Sequence, residues 1–167
     1  AGTRKVHIQR LTPRQEAEAG EYRDGDGLLF FPGAGISRLL REAGGGHKQR
    51  GSRKAIKYII PAAVRVTGEE IPLFDPETDE RLDKYEVDGR RVVIRATGGA
   101  IMRYRPRLDK WRSKFDLVIN ESILATETIH MLLVEGGQCL GLGDFRPEKG
   151  GPFGTFAVTG WKRADEE

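Results

Sequence analysis

Two blocks of cations and one glycine-rich loop hold the residues of this chain whose types and spacing could do chemistry. The chemistry they suit is contact with a polyanion. From Arg38 to Lys57 the cations Arg38, Arg41, Lys48, Arg50, Arg53, Lys54 and Lys57 face a single acid, Glu42. From Arg90 to Lys114 a second block, with Arg103, Arg105 and Arg107 at its centre, faces only Asp109. Each phosphate that such a block neutralises releases counterions and adds salt-dependent affinity. Arg38 and Arg41 stand three residues apart in an expected helix, so both guanidiniums reach the same solvent side. Lys48, Arg50, Arg53 and Lys54 lie in a glycine-started loop over about 44–54, too polar to pack and able to order over a nucleic-acid strand. Tyr104 among Arg103, Arg105 and Arg107 adds a ring that could stack on a base or fill the core. The loop from Gly141 to Phe156 carries five glycines with Arg146, Lys149, Phe145 and Phe153. At Gly141 and Gly143 a missing side chain could let phosphates approach main-chain N–H groups, with Phe153 as a stacking ring or a staple for the loop.

Bond-making chemistry has thinner support. Of the three histidines, His7 in the opening strand and His130 within the second helix read as structural. His47 stands in the basic loop, where a general base for RNA cleavage could work beside lysines, which makes a metal-independent endoribonuclease one alternative. The sequence contains no nucleophile elbow, phosphate-binding loop, paired-cysteine zinc pattern or HExxH, so neither a cofactor nor a metal is expected.

Length and composition set the frame for these residues. A chain of 167 residues fits a single domain over 1–167 with a real core. The 38% apolar content includes no run long enough for a membrane helix. No secretory pattern opens the chain, and the lone Cys139 suits a reducing setting, so the expected location is cytoplasmic. Between the basic blocks, Glu69 to Asp88 is acidic and holds Pro72, Pro76 and a turn at Asp75-Pro76-Glu77-Thr78, which predicts an exposed insertion around 68–89. Acidic and basic segments of one chain could also pair head to tail between copies, so a structural self-assembling protein of a phage or filament is the other alternative.

The elements that must position these residues follow from periodicity. Lys5–Leu11 alternates as an opening strand, and Pro13–Ala19 is partly helical. After Pro32-Gly33, Ile36, Leu39, Leu40 and Ala43 recur at helical spacing, giving a helix over Gly35–Ala43 that stops at Gly44-Gly45-Gly46. The apolar stretch Ala55–Val66 fits a helix or a strand. Arg91–Ala96 and Phe115–Ile119 read as strands. Asn120 or Ser122 is expected to cap a second helix, with Leu124, Ile129, Leu132 and Leu133 as its buried stripe and Gly136-Gly137 as its stop. Thr155–Trp161 alternates as a closing strand. The order is compatible with an α+β, ferredoxin-like (RRM-like) βαββαβ domain with insertions and a C-terminal glycine-rich loop.

Two segments also carry a family likeness. Phe31-Pro32-Gly33-Ala34-Gly35-Ile36-Ser37-Arg38-Leu39-Leu40-Arg41 resembles the entry to the first helix of the repeat-associated RNA-binding (RAMP) superfamily, whose members form CRISPR effector backbones. The stretch Ser122–Glu135, then Leu140-Gly141-Leu142-Gly143 and Gly154-Thr155-Phe156-Ala157-Val158, resembles that superfamily's last helix, glycine-rich loop and last strand. The loop departs from the family's denser glycine run at Asp144, Pro147, Glu148 and Pro152. The resemblance implies a subunit that coats single-stranded RNA, as a homo-oligomer or within a larger ribonucleoprotein, in CRISPR antiviral defence or in a phage or mobile-element relative. Some members cut RNA with an acidic residue before the first helix, a neighbourhood that holds Asp24 and Asp26 here.

Overall fold

The computed structural model of the chain describes residues 10–164 and shows an α+β protein. The chain forms two compact units: unit 1 from residues up to Phe30 together with Pro72–Ser113, and unit 2 from Phe31–Ile71 with the stretch from Lys114 onward. What interrupts unit 2 is therefore longer than the acidic segment alone. The opening strand expected over Lys5–Leu11 lies outside the described residues except for Arg10 and Leu11, which are in no strand.

In unit 1, helix α1 (Pro13–Ala19) begins with a reciprocal cap: Gln15 N–H donates to Thr12 Oγ1 at 3.3 Å, and Thr12 N–H donates to Gln15 Oε1 at 2.9 Å. Pro13 at the first helical position loses no bond, because the N–H it lacks would have no partner there. Strand β1 (Phe30–Pro32) carries the chain into unit 2.

Helix α2 (Gly33–Ala43) buries Ile36, Leu39, Leu40 and Ala43, the stripe that the sequence spacing sets. Its entry has a packing reason. A Cβ on Gly33 would sit 2.5 Å from the Gly68 carbonyl oxygen, and one on Gly35 2.6 Å from Cζ of Phe31. Past the Gly44-Gly45-Gly46 turn, residues 47–56 form a closed hairpin. Gln49 N–H donates to Lys54 O at 2.9 Å and Ile56 N–H to His47 O at 2.8 Å, while Gly51 sits at φ 71° in the turn. The basic loop expected here thus has some backbone pairing of its own. Ala55–Val66 resolves into a 3₁₀ turn over Ile56–Tyr58, helix α3 (Ile60–Ala63) and strand β2 (Val64–Thr67).

Strand β3 (Glu70–Phe74) returns the chain to unit 1. Strands β4 (Glu86–Val93) and β5 (Ala100–Arg107) form an antiparallel hairpin in register from Glu86↔Arg107 to Val93↔Ala100, and α1 packs on β5. Strand β6 (Arg112–Ser113) pairs with β3 through Leu73↔Ser113. The acidic segment is thus strand, turn and strand. In its turn, Asp75 Oδ1 accepts from Glu77 N–H at 2.7 Å, an Asx turn of the kind the dipeptide Asp-Pro favours.

Back in unit 2, β7 (Asp116–Ile119) pairs antiparallel with β2, Val64↔Ile119 through Thr67↔Asp116. Helix α4 (Thr126–Cys139) buries Ile129, Leu132, Leu133, Gly136 and Gly137. Its cap differs from the expected one: the N-cap is Ala125, with no side-chain bond. Asn120 Oδ1 instead accepts from Ser122 N–H at 3.1 Å in the turn before it. The expected stop at Gly136-Gly137 is helix interior. A Cβ on Gly136 would lie 2.8 Å from Cγ of Leu39, so α2 seats on α4 there, and one on Gly137 would lie 2.7 Å from Phe156 O. The closing segment Thr155–Trp161 is extended but belongs to no strand among the described residues. It runs back along α4, with Phe156 N–H donating to Gly137 O at 2.9 Å and Trp161 stacked on His130 at 4.5 Å.

Candidate nucleic-acid interface

Of the residues singled out from the sequence, unit 2 holds Arg38, Arg41, His47, Lys48, Arg50, Arg53, Lys54, Gly141, Gly143, Arg146, Lys149 and Phe153. Unit 1 holds Asp26, Arg103, Arg105 and Arg107.

Local backbone pairing and charge pairing separate scaffold from surface in unit 2. Arg38 is only partly exposed. It donates from Nη1 to Glu148 Oε2 at 2.5 Å and from Nη2 to the Gly141 carbonyl at 2.8 Å, which ties α2 to the glycine loop. Burial lowers its affinity for its proton, and the neighbouring Arg146 charge adds to that. Arg146 donates to the same Glu148 oxygen at 2.7 Å and to Gly143 O at 2.7 Å. The Arg146 hydrogen bond holds the Glu148 carboxyl below its usual range, against the opposing effect of burial. One carboxylate therefore serves two guanidiniums.

Several amides of the glycine loop are bonded within the protein. Gly141 N–H donates to Gly136 O, Leu142 N–H to Gly154 O, Gly151 N–H to Arg146 O and Phe153 N–H to Phe145 O, at 2.9 to 3.1 Å. Gly141, Gly143, Gly150 and Gly154 take positive φ, and Gly154 lies against the Leu142 backbone so closely that no side chain fits. The Phe153 ring lies 6.3 Å from the Phe145 ring, a contact within the loop itself. Lys149 is exposed and without an ion pair among the described residues, beside the acids Asp144 and Glu148.

The hairpin over 47–56 is different. Lys48, Arg50, Arg53 and Lys54 are all exposed, and none has an ion pair among the described residues. Their backbone is fixed by the ladder above and by His47 Nε2, which lies 2.6 Å from Glu135 Oε2 of α4. That contact gives His47 a structural task, fastening the hairpin base to the helix. Arg41, exposed on the last turn of α2, forms an ion pair only with its neighbour Glu42 among the described residues, at 3.3 Å.

In unit 1 the arginine strand carries its own counter-ions. Arg103 meets Glu16 of α1 at 3.4 Å, and Arg107 meets Asp109 at 2.6 Å and Asp88 at 3.5 Å. Arg105 stands opposite Asp88 across the β4–β5 ladder. Tyr104 lies over Gly89, where a Cβ would come within 2.6 Å of its ring. The acidic turn is matched locally as well, Lys110 to Glu77 at 2.5 Å and Arg112 to Asp79. Much of the charge separation along the sequence is thus closed within one unit. Asp26 is exposed at a turn tip, its N–H donating to Asp24 Oδ1 at 3.0 Å, and Asp24 is itself occupied by Arg81 at 2.8 Å. Asp26 and His47 belong to different units.

One residue escaped the sequence reading. Tyr58, immediately after the hairpin, is 69% exposed, with the Lys57 ammonium 5.3 Å from its ring centroid. It sits in an apolar stretch, and only the unrecognised 3₁₀ turn, which puts Ile56 inward, sends it outward. Among the described residues no group of three or more His, Cys, Asp or Glu could hold a metal ion, and no helix is long and apolar enough to cross a membrane. The chain matches no protein-family model and no curated protein.

Proposed function

We propose that this chain binds single-stranded RNA through unit 2 and acts as a coating subunit of a ribonucleoprotein, with no chemistry of its own. The observation that carries this reading is the hairpin over 47–56, whose four exposed cations have no carboxylate partner among the described residues, whereas Arg38, Arg103 and Arg107 do. Cations left unpaired on a fixed backbone cost nothing to strip from a partner, and a polyphosphate strand supplies the counter-charge. Arg41 and Lys149 extend the charged surface, whereas Arg38, Arg146, Gly141 and Gly143 form its scaffold. The chain order α2, β2, β7, α4 within unit 2, followed by the glycine loop and an extended closing segment, is compatible with the ferredoxin-like, RAMP-like part of the reading. The antiparallel β2–β7 pair with α2 beside β2 corresponds to the central ββ hairpin of such a plan in chain order, while β1 is paired with β3 instead.

The test is binding of a labelled single-stranded RNA across a salt series. Each phosphate contact on a single strand contributes a slope of about −0.7 in log K against log salt, so four hairpin cations contribute about −2.8. Replacing Lys48, Arg50, Arg53 and Lys54 together by Ala is expected to flatten the slope by about that amount. Going from about 50 to 200 mM salt, wild type should then lose roughly fiftyfold more affinity than the variant. Binding that ignores salt, or no binding at low salt, overturns the reading.

A further inference from the structure

The proposed interface has phosphate contacts but, in the residues expected from the sequence, no free ring to hold a base. Phe153 is against Phe145, Tyr104 covers Gly89 and Trp161 is on His130. Tyr58 is the most exposed aromatic among the described residues. Its position follows from packing. Ile56 is buried, and Lys57 crosses the Gly44-Gly45 turn so closely that a Cβ on Gly44 would lie 2.9 Å from Lys57 N. The following residue is therefore directed to solvent, four positions after Lys54 and two after the hairpin closes. An exposed ring stays hydrated at a cost that a stacked base removes, and the adjacent ammonium serves the phosphate of the same nucleotide.

Resting on the RNA-binding reading, we propose that Tyr58, with Lys57 beside it, is a base-stacking platform for a single strand that runs along the 47–56 hairpin. The ring reads a base face, so it confers affinity without sequence preference, and it accepts RNA and single-stranded DNA alike.

Anisotropy of a short labelled oligouridylate, with inorganic polyphosphate as a base-free probe, tests this. Tyr58→Ala is expected to weaken oligouridylate binding about 5- to 150-fold, leave the salt slope unchanged and leave polyphosphate affinity unchanged. Tyr58→Phe is expected to restore binding to within about twofold of wild type, because the ring rather than the hydroxyl stacks. Wild-type affinity in Tyr58→Ala, alongside loss in the four-cation variant, overturns the platform and leaves the RNA reading standing. Equal loss in Tyr58→Phe, or equal loss on polyphosphate, also overturns it. Failure of wild type to bind oligouridylate at low salt removes the RNA reading itself. With the side chain in solvent, Tyr58→Ala should fold normally, which an unchanged thermal melt verifies.

Discussion

Gly136→Ala should destabilise the protein, and the same change should stabilise a Leu39→Ala variant. Alanine at this interior position of α4 gains about 1 kcal/mol of helix propensity over glycine. Against that, its Cβ would stand 2.8 Å from Cγ of Leu39 and 3.5 Å from the Ala43 methyl, while Leu39 is 0% exposed and has no open space to turn into. Forcing a methyl into a packed contact costs about 1 to 3 kcal/mol, so the net effect in wild type is a loss of roughly 1 kcal/mol. Leu39→Ala alone leaves a cavity and costs about 2 to 5 kcal/mol. In that background the new methyl meets space, the propensity gain is realised, and Gly136→Ala stabilises by about 1 kcal/mol. The expected coupling is therefore about 2 kcal/mol with a change of sign. Urea unfolding followed by Trp161 fluorescence in a Trp111→Phe background reads unit 2, because Trp161 stacks on His130 of α4. Stabilisation by Gly136→Ala in the wild-type background, or additivity within about 0.5 kcal/mol, would refute the claim that glycine there exists to seat Leu39.

Glu148→Gln should lower stability by about 1 to 2 kcal/mol near neutral pH, less than a fully buried pair because both partners are about a quarter exposed at 23% and 24%. The folded carboxyl has a depressed pKa, so its contribution is full above the ordinary glutamate value of about 4.3 and is lost as pH falls through the lower folded value. Urea midpoints of the two proteins should consequently converge in acid, and a gap that persists unchanged to about pH 2 would contradict the clamp. Gly154→Ala, at φ 82° and against the Leu142 backbone, should cost more than about 2 kcal/mol, whereas Gly143→Ala, at φ 84° with open space around it, should cost only about 1 kcal/mol. Trypsin cleavage after Lys149 reports loop opening and should accelerate in the first variant much more than in the second; equal rates would argue against the close approach.

The elements defined by local periodicity were legible and those defined by distant partners were not. The spacing of Ile36, Leu39, Leu40 and Ala43 fixes α2 to within two residues, because the stripe itself is the reason for the helix. Gly136 and Gly137 read as a stop under the same rules. They are interior because Leu39, far upstream, and Phe156, downstream, need backbone without side chains at those two points. No local pattern distinguishes a glycine that ends a helix from one that admits a neighbour. Thr155–Trp161 has a strand's alternation for a different reason: one side of it faces α4, which imposes the same inward and outward rhythm as a sheet.

The binding surface follows the same division. Residue type identified the cations, but which of them face a ligand depends on where carboxylates arrive in the fold. Glu148 reaches Arg38 across 110 positions and Glu16 reaches Arg103 across 87, so two of the most suggestive arginines are committed elsewhere. The four hairpin cations have no ion pair among the described residues although the chain as a whole is nearly balanced at +3, and part of the acidic turn of unit 1 is matched locally by Lys110 and Arg112. An unpaired cluster on a backbone held by His47 and Glu135 is ordered before any ligand arrives. Pre-ordering removes the folding cost that a flexible basic loop would take from its affinity. The glycine loop, for its part, acts at one remove: it holds Arg38 and Arg146 on Glu148, whereas the hairpin cations are exposed with no ion pair among the described residues.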